Sequence, residues 1–146
     1  MKTLNDLLIS APGHFGDLTG WINSKLLFPD AGLAIPVALS ICSVLRAGRI
    51  ASPDGIEPNL YAAIIAESGI GKSRAQNIAI EILKELELEK LIMGFRIASD
   101  SALLKRLTTD PVQFFRWDEM GIGLEQIANS TQGHEARILQ CMMDLF

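Results

Sequence analysis

Apolar and polar positions change period several times along the chain, and each change marks an element. Leu60, Ala62, Ala63, Ile64 and Ile65 form a near-continuous apolar run. That is the pattern of a strand buried on both faces. After Lys72 the period becomes helical. Ala75, Ile78, Ala79, Ile82, Leu83 and Leu86 recur at i, i+3, i+4 and i+7, with Arg74, Gln76, Asn77, Glu81, Lys84 and Glu85 on the other face. This predicts an amphipathic helix.

Other segments read the same way. Thr3 or Asn5 caps a short helix through Leu4, Leu7 and Leu8, which Pro12-Gly13 breaks. Leu18, Trp21, Ile22 and Leu26 predict a helix over 17–27, with Trp21 in the core and Pro29-Asp30 at its end. From Ala31 to Ala47 apolar residues occupy nearly every side, which predicts a helix buried all round. Pro36 either starts that helix or kinks it, and Gly48 stops it. Ser52-Pro53-Asp54-Gly55 is a turn, opening a short hairpin or a loop.

Further on, Met93 to Ala98 suits a second short strand. Ser99 or Asp100 caps a helix through Ala102, Leu103 and Leu107, closed by Asp110-Pro111. Met120 to Gly123 is a turn, and Leu124, Ile127 and Ala128 continue helically. Gly133 precedes a last helical run through Ile138, Leu139, Met142, Met143, Leu145 and Phe146. The chain stops inside that run, without a cap or a polar tail, so the sequence reads as truncated there.

Composition narrows the class. The chain has 146 residues, 49% of them hydrophobic and 21% charged, an ordinary globular balance. Its net charge of -4 gives no global basic excess of the kind that advertises nucleic acid. Cys42 and Cys141 sit outside any C-x-x-C pattern and read as buried free thiols of a reducing compartment. The Leu7-Leu8-Ile9 run is too short for a secretory signal. The stretch from Ala31 to Leu45 falls short of the ~20 residues of a membrane span. The expectation is a cytoplasmic protein without a membrane partner.

The candidate chemistry lies between the first strand and the helix that follows it. Ala66-Glu67-Ser68-Gly69-Ile70-Gly71-Lys72-Ser73 approximates G-x-x-x-x-G-K-[ST], with Ala66 at the first glycine. A chance G-x-G-K-S on a surface turn competes with this reading, but strand, glycine loop and helix in that order make a phosphate-binding P-loop. Glycines let successive N–H groups converge on phosphate oxygens. The helix start adds unpaired N–H groups and a partial positive charge. Glu67, Ser68, Gly69, Ile70, Gly71, Lys72 and Ser73 are the candidate nucleotide-binding residues. Lys72 reaches the β- and γ-phosphates, and Ser73 offers its hydroxyl to Mg²⁺. A methyl at Ala66 is tolerated where φ is negative.

A second constellation follows. Val112-Gln113-Phe114-Phe115-Arg116-Trp117 runs into Asp118-Glu119, 46 residues after Lys72. An apolar strand ending in acids is the Walker B pattern. A parallel sheet brings the ends of its strands to one edge. Asp118 would hold Mg²⁺ there, opposite Ser73, and Glu119 would orient or deprotonate the attacking water. Gln113 and Arg116 are polar where such a strand should be buried.

Taken together, the pattern predicts an α/β fold. A small helical module over 1–56 precedes a P-loop NTPase core over 57–146, a partial parallel sheet flanked by helices. The chain resembles the P-loop ATPases of phage, prophage and plasmid replication modules, the primase/helicase-associated proteins, and matches only their amino-terminal half. The likeness is carried by Ala11-Pro12-Gly13 with the Leu18–Ile22 helix, Arg46-Ala47-Gly48-Arg49, Asn59-Leu60-Tyr61, Glu67 to Ser73, Ile97-Ala98-Ser99 and Phe115-Arg116-Trp117-Asp118-Glu119-Met120-Gly121.

That resemblance implies ATP and Mg²⁺ as cofactors. It implies hydrolysis coupled to DNA handling, with Lys72 and Glu119 catalytic and Ser73 and Asp118 on the metal. It also implies single-stranded DNA, a primase and further copies of the chain as partners. Two other readings stay open: a nucleotide-gated adaptor or loader with little turnover, and a P-loop kinase of a small metabolite.

Overall fold

The computed structural model describes residues 6, 10–93, 100–117, 120–122, 125 and 134–144. The chain divides into two compact units, Met1–Lys90 and Leu91–Phe146.

Among the described residues, three α-helices longer than one turn build the first unit. Helix α1 spans Gly13–Lys25 and α2 spans Ala31–Arg46. Helix α3, Lys72–Glu85, follows the glycine loop. Helix α2 packs against both α1 and α3. Its buried positions, Ala31, Leu33, Ala34, Val37, Ala38 and Ile41, make one broad face. The helix is therefore not buried all round; Leu39 is exposed. Ile22 of α1 and Ala75, Ile78, Ala79 and Leu83 of α3 complete the core.

Local chemistry explains the helix boundaries. The Asp30 carboxylate caps α2, accepting from the Gly32 N–H at 2.7 Å, so Asp30 opens this helix as well as following the previous one. Pro36 lies inside α2, where its ring removes the amide that would have reached the Gly32 carbonyl. Helix α3 ends in a Schellman motif: Glu87 N–H donates to the Lys84 carbonyl at 2.9 Å and Leu88 N–H to the Leu83 carbonyl at 2.8 Å. Glu87 takes the left-handed position, φ 57°, that glycine usually fills.

Two features of α1 escaped the sequence pattern. Gly16 faces the lead-in chain so closely that a Cβ there would lie 1.6 Å from the Ala11 carbonyl oxygen. Only glycine allows that crossing. Trp21, expected in the core, is 46% exposed, with the Lys25 ammonium 5.5 Å from its ring centroid. The buried stripe of α1 runs through Gly16, Thr19 and Ile22 instead. The Thr19 hydroxyl is satisfied internally, donating to the Phe15 carbonyl at 2.8 Å.

In the second unit, β1 (Ile92–Met93) pairs in parallel with β2 (Phe114–Phe115), in the register Ile92 with Phe114 and Met93 with Phe115. Helix α4, Asp100–Thr109, lies between them in sequence, as a parallel connection requires. It packs on α5, His134–Asp144, with Leu103 and Ile138 buried. Gln113, a misfit in a buried strand, clamps the entry to β2. Its amide donates to the carbonyls of Asp110 (3.1 Å) and Val112 (2.8 Å) and accepts from Arg106 Nε at 3.2 Å. Cys42 and Cys141 are free and only partly buried.

This architecture corrects the expected fold class. The described residues are 60% helical and carry a two-stranded parallel sheet; among them the multi-strand sheet of a P-loop NTPase core is not shown. The run Leu60 to Ile65 forms no strand, and Ile65 is 96% exposed. A strand is held by the backbone bonds of a neighbour, and among the described residues none is paired alongside this run. The apolar surface of α2 and α3 is spent on other helices rather than on a sheet.

The expected helix through Leu4, Leu7 and Leu8, most of the strand from Met93 to Ala98, the helical stretch around Leu124 to Ala128 and the terminal Leu145-Phe146 lie outside the described residues.

Candidate functional site

The loop from Ala66 to Gly71 turns the chain from the exposed run into α3. Gly69 and Gly71 have φ of 88° and 96°, with Ile70 between them on the ordinary negative side. Alternation of sign is the pattern by which neighbouring N–H groups converge in an anion-binding nest. A Cβ at either glycine would meet nothing within 4 Å. The requirement for glycine is therefore conformational and not steric. Ala66 keeps a negative φ, which is why a methyl is accepted there.

Gly71 is also the N-cap of α3 and supplies no side-chain acceptor. The first amide of the helix with an intrahelical partner is Ala75, donating to the Gly71 carbonyl at 3.1 Å. The N–H groups of Lys72, Ser73 and Arg74 precede it and have no acceptor within the helix. The first turn carries no acidic residue, so no carboxylate competes for the positive end of the helix dipole. Ser73, in that turn, is exposed.

Lys72 bends back over the loop. Its ammonium donates to the Ala66 carbonyl and, at 2.8 Å, to the Glu67 carbonyl. These bonds tie the first residue of α3 to the start of the loop and hold a positive charge at its mouth. The sequence placed Lys72 near phosphate. It did not show that two loop carbonyls hold the ammonium, because that depends on how the chain curls between them.

The structure thus brings Glu67, Ser68, Gly69, Ile70, Gly71, Lys72 and Ser73 into one loop and helix start. Asp118 and Glu119 lie outside the described residues. Among the described residues no three His, Cys, Asp or Glu side chains group as a metal site. A magnesium ion bound with a polyphosphate needs fewer protein ligands than that, and the Ser73 hydroxyl in the first turn of α3 fits as one of them.

Two open hollows mark the first unit. One, of about 390 Å³, is lined by Phe28, Pro29, Asp30, Leu33 and Ile70 and so shares Ile70 with the glycine loop. The other, of about 610 Å³, is lined by residues of α1 and α3 that include Lys25, Arg74, Glu81 and Glu85. Its charges are of both signs, and Arg74 is paired with Glu81. It is not the one-signed basic surface that tracks a nucleic-acid backbone.

In the second unit, burial and then the carboxylates of Asp100 and Asp144 push the Cys141 thiol above its ordinary value. Among the described residues no helix is long and apolar enough to cross a membrane. Set against protein-family models, curated proteins and solved structures, the chain matches none.

Proposed function

We propose that this chain binds a nucleoside triphosphate, with ATP the first choice, through the loop from Glu67 to Ser73. We further propose that it serves as the nucleotide-binding part of a replication-module ATPase acting on DNA. One observation carries the reading: a lysine bonded back to the Ala66 and Glu67 carbonyls, beside two glycines of positive φ, at the acid-free start of a 14-residue helix that no side chain caps. Converging amides, a helix dipole and a mobile ammonium at one place suit a polyphosphate better than any neutral ligand.

Each residue has a distinct task. The amides of Gly69 to Arg74 donate to the phosphate oxygens. Lys72 exchanges its neutral loop carbonyls for those charged oxygens, which are the stronger acceptors. Ser73 holds Mg²⁺ by its hydroxyl, and Asp118 is the second protein ligand suggested by the sequence. Bound Mg²⁺ neutralises charge on the phosphate oxygens. Glu119 is assigned the water. The grip on phosphate belongs to the loop and helix, so it does not require the sheet that fails to form around residues 60–65.

Single-turnover and steady-state ATPase assays with and without single-stranded DNA test this function. DNA-stimulated hydrolysis, lost in Glu119→Gln while ATP binding persists, is the expected result. Tight ATP binding with no hydrolysis identifies the adaptor instead. Transfer of phosphate to a small acceptor identifies a kinase. Hydrolysis by Glu119→Gln at the parent rate removes Glu119 from catalysis.

A further inference from the structure

The hollow beside the glycine loop has chemistry that a phosphate does not need. Phe28 stands at its edge, 58% exposed. Pro29, Leu33 and Ile70 supply apolar walls, and Asp30 supplies a carboxylate. A large exposed aromatic next to an apolar floor costs free energy in water. Flat heteroaromatic rings stack on such a side chain with little regard to their substituents. The hollow is open to solvent, about 390 Å³, so it would cover one face of a ring and leave the other exposed. Ile70 joins the two features, because it lies between the two left-handed glycines and also lines the hollow.

Asp30 adds a direction to the recognition. Its Oδ1 is committed to the Gly32 N–H as the cap of α2. That bond fixes the carboxylate and leaves Oδ2 as an acceptor for a ligand donor. An adenine offers one exocyclic amino group on its 6-position. A 6-oxo purine presents a carbonyl at the same place, which a carboxylate repels, and its nearest donor, the ring N1–H, lies one position along the edge.

We propose that the hollow is the base subsite of the nucleotide held on the glycine loop, with Phe28 stacking the ring and Asp30 selecting a 6-amino purine over a 6-oxo purine. This rests on the phosphate-binding reading given above and adds the residues that would recognise the base.

The test compares three ligands with Mg²⁺ by calorimetry: ATP, inosine triphosphate and inorganic tripolyphosphate. The parent protein binds ATP more tightly than inosine triphosphate. Phe28→Ala weakens ATP about tenfold and leaves tripolyphosphate unchanged. Asp30→Asn keeps the helix cap, since asparagine caps as well as aspartate, but can turn an N–H toward the base. It narrows or inverts the preference for ATP over inosine triphosphate.

Equal binding of ATP by the parent and Phe28→Ala, with tripolyphosphate still bound, overturns the base subsite and leaves the phosphate site standing. Failure of the parent to bind either ATP or tripolyphosphate overturns both. Thermal melts of the two variants, expected near the parent because Phe28 is exposed and the cap is kept, separate lost recognition from lost folding. A variant that melts well below the parent is replaced by Phe28→Leu, which keeps the apolar volume, removes the ring and is expected to weaken ATP in the same way. If Phe28→Leu binds ATP as the parent does, the stacking role is excluded.

Discussion

The Lys72 ammonium donates to the Glu67 carbonyl at 2.8 Å, five residues back along the chain. That bond, with its companion to Ala66, closes the glycine loop on itself and stores a positive charge where phosphate would sit. Lys72→Ala should weaken Mg–ATP binding about 10- to 100-fold, the scale of a charge-assisted hydrogen bond. Its effect on unfolding free energy should stay within about 1 kcal/mol, because alanine is a good helix residue. Calorimetric titration and a denaturant melt on the same sample check both halves.

The two loop glycines make a separate prediction. Gly69→Ala and Gly71→Ala each place an L side chain at a φ near 90°, a cost of about 1–2 kcal/mol. A D-alanine introduced there by semisynthesis meets no such penalty at positive φ and should cost less than L-alanine. Equal melts for L- and D-alanine would mean that φ is not what demands glycine.

The fold itself can be probed with two isoleucines. Ile78 is fully buried in the helical core, whereas Ile65 is almost fully exposed. Ile78→Ala should cost about 2–5 kcal/mol and Ile65→Ala less than about 0.5 kcal/mol. A large cost at Ile65 would show that the run from Leu60 to Ile65 is packed after all.

The reason that run misled is physical. Apolar residues in succession mark burial only when neighbours exist to bury them, and sequence periodicity carries no information about pairing. Helix α3 was legible because its stripe, Ala75, Ile78, Ala79 and Leu83, is set by local geometry alone; α4 and α5 were legible for the same reason. Trp21 was placed in the core by its spacing, yet the helix turns Gly16 and Thr19 inward, a choice forced by the close crossing at Ala11. Within the candidate site, the residue types of the loop could be read directly. The Phe28–Asp30 hollow could not, since its walls are 37 or more residues apart from Ile70 in sequence.

The end of α3 offers a stabilising change. Glu87 occupies the left-handed position of a Schellman motif. Glu87→Gly should raise stability by up to about 1 kcal/mol, the relief of the αL strain less the backbone entropy of glycine. A denaturant midpoint shifted upward at unchanged slope is the expected readout.

Cys141 gives a pH dependence. Its thiol is held above the ordinary value of 9.0 by burial and by Asp100 and Asp144. The folded state therefore keeps its proton to higher pH than the unfolded chain does. This contribution to stability is complete below the unfolded value and is lost as pH rises through the folded one. Alkylation of Cys141 in the folded protein should accordingly need a higher pH than alkylation of the same residue in denaturant, measured by mass spectrometry across the alkaline range.

The glycine loop as a phosphate site is tested most directly by amide chemical shifts during titration with magnesium tripolyphosphate. Saturable shifts concentrated on Gly69 to Arg74, and moved to about 10- to 100-fold higher ligand concentration in Lys72→Ala, are the expected result. Titration that leaves those amides unmoved, or that shifts them at the same ligand concentration in Lys72→Ala, contradicts the account.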